Sequence, residues 1–118
     1  MPRSLLCRLG AAALLLVAYQ TAWAHAHPAA MTPAANSTVA APKEVRMRFT
    51  EPLEPALSAL ELDDAQGKKI GNAPSAVDTP DSMRLPLPPL AAGGYMVKWV
   101  AVAKDGHRTH GSYIFHVQ

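Results

Sequence analysis

Hydrophobic and polar residues alternate along several short stretches of the chain, which is the pattern of β-strands that bury one face. In the first clear stretch, Val45, Met47 and Phe49 are separated by single polar residues. The same period of two recurs over residues 60–62, 83–87, 95–103 and 112–117. The pattern therefore predicts a set of short strands rather than helices.

The segments between these stretches indicate how the strands connect. Asp105-Gly106 is a turn signal, so the last two strands are predicted to form a hairpin with a longer loop over 104–111. Residues 71–82 are polar and contain proline, and we predict a loop there. Pro86 has no N–H to donate, so its strand is expected at a sheet edge or with a bulge. Together these features predict an all-β fold, an antiparallel β-sandwich with Greek-key connections.

The first 24 residues have the composition of an export signal. Two arginines lie in the first eight residues, 9–19 is a nearly unbroken apolar run, and 22–24 places small residues before a cleavage point. The apolar run is shorter than the roughly 20 residues that span a bilayer, so a retained anchor is disfavoured. We predict a signal peptide over 1–24, cleavage after Ala24, and one exported domain over 25–118 that does not span the membrane.

Cleavage at that point would change the charge and the chemistry of the chain. The full sequence has net charge +2, with 11 Lys and Arg against 9 Asp and Glu. Loss of Arg3 and Arg8 makes the two counts equal, so nothing supports binding to nucleic acid or to anionic membranes. The single cysteine, Cys7, is lost as well. The exported domain would then contain no disulfide and no thiolate metal ligand.

His25 would become the first residue of the mature chain. Its free amine and its imidazole can bind one metal ion and close a chelate ring. The amine has an unperturbed pKa of about 7.7–8.0, so a metal displaces its proton easily near neutral pH. Nitrogen donors of this kind favour Cu(II). The alternative is that His25 is simply a frayed terminus.

Asp105-Gly106-His107 is the second candidate for metal chemistry. Residues two apart in an extended segment point to the same side, so Asp105 and His107 could give one oxygen and one nitrogen to one ion. Gly106 permits a tight backbone between them. Taken alone, the tripeptide is better explained as an ordinary turn.

With their surroundings, these two features make the chain resemble the copper-resistance protein C (CopC) family of periplasmic copper-binding proteins. The resemblance covers essentially all of residues 25–118. Its motifs are His25-Ala26-His27-Pro28, 44–52 (EVRMRFTEP), 94–99 (GYMVKW), Asp105-Gly106-His107 and 111–115 (GSYIF). It implies an Ig-like β-sandwich in the periplasm that binds one Cu(II) per chain.

The resemblance also implies which residues hold the ion. His25 would supply its amine and imidazole, and Asp105 and His107 would supply the remaining ligands. Glu51 matches a carboxylate that lies near the Cu(II) site in the family, so the resemblance implies an outer-shell or weak ligand there. Some family members also hold Cu(I) in a methionine-rich loop. The methionines of 25–118 are far apart in the sequence, and thioethers select Cu(I), so we expect a Cu(II)-only protein.

The other histidines leave one alternative open. His27 is the third residue of the predicted mature chain, so the amine, two backbone amides and its imidazole could wrap Cu(II) instead. This arrangement competes for the same amine, and the family resemblance favours the one with Asp105 and His107. His110 lies next to the loop and could be an outer-shell residue, but an ordinary surface position is favoured. His116 is predicted to face solvent on the last strand.

These observations favour one function over two others. The leading hypothesis is a non-enzymatic periplasmic protein that sequesters Cu(II), or carries it to a membrane importer or another copper protein. A histidine-brace copper monooxygenase would use a similar N-terminal histidine, but the Asp105 carboxylate would fill the position that oxygen chemistry needs open. A metal-free Ig-like interaction module would rest on the fold alone.

Overall fold

The computed structural model describes residues 25–118, which form eight strands and one short 3₁₀ turn at Pro55–Leu57. The strands are β1 (Pro28–Thr32), β2 (Thr38–Val39), β3 (Glu44–Phe49), β4 (Ala59–Asp64), β5 (Ala76–Thr79), β6 (Ser82–Pro86), β7 (Gly93–Val102) and β8 (Arg108–Val117). The predicted signal peptide over 1–24 lies outside the described residues. Within them, no helix is long and apolar enough to cross a membrane.

The strands form two four-stranded sheets, ordered β1-β3-β6-β5 and β2-β8-β7-β4. The chain changes sheet at every connection from β1 to β5 and again between β6 and β7, so most connections cross between the layers. Among the described strands, every pairing is antiparallel except the short pairing of β2 with β8, which is parallel. The predicted all-β sandwich is confirmed, with this one parallel contact added.

The alternating apolar positions build the interior between the sheets. Val45, Met47 and Phe49 on β3 are each 0% exposed, as the period of two predicts. Phe49 meets Trp99 of the opposite sheet edge-to-face, with 5.3 Å between ring centroids. Aromatic rings favour this arrangement. The contact joins the two sheets close to the end of β3, from which the chain runs on to Thr50.

Residues 71–82 are not loop throughout, because Ala76–Thr79 forms β5 and Ser82 begins β6. β5 pairs with β6 through a register shift between Val77 and Thr79. Val77 is the one partly buried residue of this strand, and the other three are exposed. A strand defined by backbone pairing, with so little buried surface, shows no apolar alternation in the sequence.

The expectation that Pro86 lies in an edge strand is wrong, whereas an irregularity does occur in the pairing of its strand with β5, at Val77 and Thr79. β6 lies between β3 and β5, and Pro86 is its last residue, opposite Glu44. The neighbouring Leu87 N–H donates to Lys43 on the β3 side. Successive N–H groups of a strand point to opposite sides, so Pro86 faces the β5 side. Pairing with β5 has already ended there, at Arg84, and no hydrogen bond is lost.

The hairpin of β7 and β8 carries the last predicted site. The two strands stay in register from Gly93 opposite Val117 to Val102 opposite Arg108. The connecting loop therefore spans only residues 103–107, because 108–111 continue the strand instead of lengthening the loop. This tight tip holds the Asp-Gly-His tripeptide at one end of the sandwich.

Candidate metal centre

The first residues of the described chain are anchored to the sandwich. The side chain of Ala26 is 0% exposed and belongs to the core. Its carbonyl oxygen accepts a 2.7 Å hydrogen bond from the hydroxyl of Thr109 on β8. Burial and this bond hold Ala26, the neighbour of His25, in place.

Thr50 holds the same segment from the other sheet. Its backbone N–H donates to the carbonyl of His27 at 2.9 Å. Its Oγ1 atom accepts the backbone N–H of His27 at 3.0 Å and donates to the carbonyl of His25 at 3.2 Å. The backbone of His25-Ala26-His27 is thus bonded to β8 and to the residue that follows β3.

The loop after β7 is closed by its own hydrogen bonds. Gly106 donates to Ala103 at 2.9 Å, and Ala103 donates to the carbonyl of His107 at 2.9 Å. Gly106 has φ +89°, a left-handed conformation that glycine adopts without a steric penalty. The Oδ1 atom of Asp105 accepts the backbone N–H of His107 at 3.0 Å. The loop therefore presents Asp105 and His107 in a defined conformation.

The two anchored segments bring three histidine rings together. The ring of His25 lies 5.3 Å from that of His107, between centroids, at an interplanar angle of 79°. It lies 6.0 Å from the ring of His27. The sequence-predicted residues His25, Asp105 and His107 therefore lie near one another at one end of the sandwich, although 80 positions separate His25 from Asp105.

Asp105 is the charged group of this cluster. Its Oδ2 atom lies 2.9 Å from Nδ1 of His107. The hydrogen bond from the backbone of His107, followed by that from its side chain, holds the pKa of the Asp105 carboxyl below its ordinary value of 3.8. The carboxylate is therefore ionised at neutral pH. A carboxylate at Nδ1 favours the tautomer protonated there and leaves Nε2 as a metal donor.

Glu51 lies on a segment that runs beside the loop. Leu53 forms an antiparallel bridge with Ala103, and Lys104 N–H donates to the carbonyl of Pro52 at 3.2 Å. Glu51 itself is half-buried. The structure thus brings its stretch of chain beside the loop that carries Asp105.

The remaining histidines lie away from the cluster. His110 is exposed on β8 opposite Val100, and His116 is exposed opposite Gly94. Seven residues of extended strand, about 23 Å, separate His116 from the Thr109 anchor. The prediction that both are surface residues is confirmed.

The methionines are closer together than their sequence separation suggests. Met31, Met47 and Met83 occupy opposing positions on β1, β3 and β6. Met47 and Met83 are 0% exposed in the core. The fold therefore does gather three methionines in one row, but it encloses at least two of the thioethers among apolar side chains.

The donor set at the cluster consists of imidazole nitrogens and one carboxylate, to which a terminal His25 would add its amine. Such N,O ligands suit Cu(II) with tetragonal geometry. In residues 25–118, no three His, Cys, Asp or Glu side chains already converge as a metal site would require. His25 and His107 instead meet edge-on, and Asp105 bonds His107. The chemistry of the donors fits Cu(II), whereas the side chains of Asp105 and His107 are paired with each other.

Thr50 and Thr109 are the residues of this region that sequence reasoning misses. Their hydroxyls reach partners 25 and 83 positions away along the chain, respectively. Thr50 does lie within the 44–52 motif, but nothing in a local pattern distinguishes a threonine that holds another segment from one that faces solvent.

Fold and site together define a small two-sheet β-sandwich that carries a cluster of histidines and a carboxylate at one end. A family model described as the CopC domain matches residues 16–118. The chain belongs to the CopC family, as the resemblance predicted.

Individual relatives agree with this assignment. Protein YobA from Escherichia coli is 36% identical over 100 residues, covering 81% of each chain. Copper resistance protein C from Xanthomonas campestris pv. juglandis is 32% identical over 110 residues, covering 86% of this chain and 87% of the relative.

Solved structures share the fold. The crystal structure of CopC from Methylosinus trichosporium is 38% identical, with a TM-score of 0.73, and the match covers 80% of this chain and 94% of that one. The crystal structure of PcoC, a methionine-rich copper resistance protein from Escherichia coli, is 34% identical with a TM-score of 0.73, covering 80% of this chain and 100% of that one. The predicted sandwich class is therefore confirmed by structures as well as by the strands.

Proposed function

We propose that this chain is exported to the periplasm, cleaved after Ala24, and binds one Cu(II) ion at the cluster of His25, Asp105 and His107. His25 provides the terminal amine and its imidazole, His107 an imidazole, and Asp105 a carboxylate. Glu51 acts as an outer-shell or weak ligand. His27 is an alternative ligand that competes for the same amine.

The observation that carries this proposal is the 5.3 Å separation between the rings of His25 and His107. These residues come from opposite ends of the described chain, and each is positioned by backbone bonds of its own. A site whose parts are held before the ion arrives loses less conformational entropy on binding. The names of the copper resistance relatives give independent support for copper as the ion.

Cleavage supplies the strongest donor in this scheme. While residue 24 is attached, the nitrogen of His25 is a peptide amide, which is a poor metal donor. After cleavage it is an amine that loses its proton readily near neutral pH. Export and copper binding are thus coupled, because the signal peptidase completes the site.

The exposure of the cluster suits a carrier or a sequestering protein. The side chain of His107 is 35% exposed and that of Asp105 is 45% exposed. A partner can therefore approach the ion and replace ligands one at a time. The partner would be a membrane copper importer or another periplasmic copper protein.

We propose binding rather than catalysis. A histidine-brace enzyme keeps a coordination position open for oxygen, whereas here the anionic Asp105 stands beside His107 and would close that position. The copper resistance proteins among the relatives are named for resistance, in keeping with a binding role.

The test is a Cu(II) titration of the exported protein after mass spectrometry has confirmed His25 as its first residue. We expect one tight equivalent, with EPR parameters of a nitrogen-rich site. His107→Ala should weaken binding at least about tenfold, whereas the matched control His116→Ala should leave it unchanged. A mature chain that starts at His25 and binds no stoichiometric Cu(II) would overturn the proposal.

A further inference from the structure

The tripeptide His25-Ala26-His27 can offer Cu(II) two different sets of donors. In one, the His25 amine acts together with Asp105 and His107. In the other, the ion is wrapped by the amine, the backbone nitrogens of Ala26 and His27, and the His27 imidazole. The second mode has nothing to do with the sandwich and is open to any unfolded peptide with this sequence. Something in the fold must decide between them.

The hydrogen bonds of the tripeptide affect the two modes differently. The carbonyl oxygens of His25, Ala26 and His27 each accept a bond from a threonine. In the wrapped mode the carbonyl oxygens point away from the ion, because a trans peptide directs its oxygen and its nitrogen substituent to opposite sides. None of these three bonds occupies an amide nitrogen that the wrapped mode would use.

One bond is not compatible with wrapping. The His27 N–H donates to Oγ1 of Thr50, with 3.0 Å between the nitrogen and the oxygen. In the wrapped mode Cu(II) replaces the amide protons of Ala26 and His27, and both protons pass to the buffer. The ion would then lie along the former N–H direction of His27 at about 2 Å from the nitrogen. The Thr50 hydroxyl already occupies that direction.

We propose that Thr50 is a positioning residue that selects the copper-binding mode. By accepting the His27 N–H, it excludes the wrapped arrangement and leaves the His25 amine for the site with His107. The inference rests on the proposed function, since both modes use the amine of a chain that starts at His25. It assigns to His27 the role of a backbone anchor whose imidazole is outside the copper site.

Thr50 is well suited to substitution because it is exposed. Thr50→Ala removes the hydroxyl and opens the N–H direction, while the backbone bond from residue 50 to the His27 carbonyl remains. Thr50→Ser keeps the hydroxyl and serves as the rescue variant. Thr38→Ala, at an exposed threonine on β2, is the matched control. Circular dichroism of the copper-free proteins would verify that all of them fold.

The decisive measurement is which histidine each protein needs. In the natural sequence, His107→Ala should weaken Cu(II) binding at least about tenfold. His27→Ala should change it by no more than about twofold, the usual error of additivity for independent sites. In the Thr50→Ala background, His27→Ala should weaken Cu(II) binding at least about tenfold, and His107→Ala should change it by no more than about twofold. The EPR and visible spectra should change from a mixed nitrogen and oxygen site to a planar four-nitrogen site, and Thr50→Ser should restore the first spectrum.

The outcomes separate this inference from the proposed function. If Thr50→Ala keeps the original spectrum and still depends on His107 but not on His27, the role of Thr50 is refuted while the copper site stands. If the natural protein already depends on His27 rather than His107, both are refuted. A hydrogen-exchange measurement on the copper-free protein adds a second check, because Thr50→Ala should accelerate exchange of the His27 amide.

Discussion

The Oδ2 atom of Asp105 lies 2.9 Å from Nδ1 of His107, while Oδ1 of the same carboxylate accepts the His107 backbone N–H at 3.0 Å. One carboxylate therefore closes the loop and orients the imidazole. Such a carboxylate–histidine pair fixes the ring orientation of a histidine that binds a metal. The pair links the conformation of the β7–β8 loop to the chemistry of the cluster.

For Cu(II) affinity, the negative charge of Asp105 should matter more than its ability to accept a hydrogen bond. Asp105→Asn keeps an oxygen that can accept the His107 N–H but removes the negative charge. We expect Cu(II) affinity to fall by roughly 10–100-fold in a competitive titration. Asp64→Asn is a matched control, because Asp64 also closes a turn, by accepting the N–H groups of Gln66 and Lys68. Equal affinities of Asp105→Asn and the natural protein would show that the carboxylate charge does not contribute to Cu(II) binding.

The lowered pKa of Asp105 sets the pH range over which its charge is present. The folded-state value is below the ordinary 3.8, so the contribution of Asp105 to stability and binding is complete above about pH 5. It is lost only as the pH falls through the lowered folded value. Thermal unfolding of Asp105→Asn and the natural protein should therefore differ at pH 5 and converge in stronger acid. A difference that persists in strong acid would contradict the assignment.

A residue placed before His25 should weaken copper binding even though every side chain is retained. An added glycine converts the terminal amine into an amide and moves the charged terminus away from the cluster. We expect at least about a tenfold loss of Cu(II) affinity, the lower end of the effect of outer-shell substitutions in metal sites. Adding glycine after Gln118 instead is the control. Unchanged affinity in the N-terminally extended protein would refute the link between cleavage and function.

Gly111 should tolerate no side chain, because Trp99 lies directly over it. A Cβ at position 111 would stand 2.8 Å from Cζ2 of Trp99 and 3.0 Å from Cε2. Trp99 also contacts Phe49 in the core, so its displacement would disturb the packing between the sheets. We expect Gly111→Ala to lower the free energy of unfolding by about 1–3 kcal/mol in urea titrations.

Gly94→Ala provides the comparison for this experiment. Gly94 lies on the same strand as Trp99, and a Cβ there would make an ordinary contact, 3.4 Å from Nε2 of His116. Its effect should be clearly smaller than that of Gly111→Ala. Equal effects would mean that loss of glycine in the hairpin, and not the contact with Trp99, causes the destabilisation.

Tyr113 should make the fold sensitive to strong alkali. Burial raises the pKa of its hydroxyl from 10.0 to about 12, and within residues 25–118 the hydroxyl has no hydrogen-bond partner. Because the folded-state pKa is the higher one, stability is complete below pH 10 and is lost as the pH rises towards 12. Tyr113→Phe should reduce this alkaline loss and be neutral or stabilising at pH 7. Strong destabilisation at pH 7 would reveal a hydrogen bond to the hydroxyl.

Strands with one buried face could be predicted from the sequence, because burial imposes a period of two on β3 and on the core of β7. β5 could not, since three of its four residues are exposed and only its backbone pairing defines it. The 104–111 loop was overestimated for a related reason. Gly111 interrupts the apolar pattern, although Trp99 fills the space above it.

The sequence by itself determined the class of fold and the family, and through the resemblance it pointed to three candidate ligands, because burial, turn chemistry and motif order follow from the order of residues along the chain. Tertiary structure alone decided that the rings of His25 and His107 are neighbours. It decided as well that Thr50 and Thr109 hold the backbone of residues 25–27. It also decided that Met31, Met47 and Met83 form one row. These relationships join residues from separate strands, and contacts across 25 to 83 positions arise only when the two sheets pack.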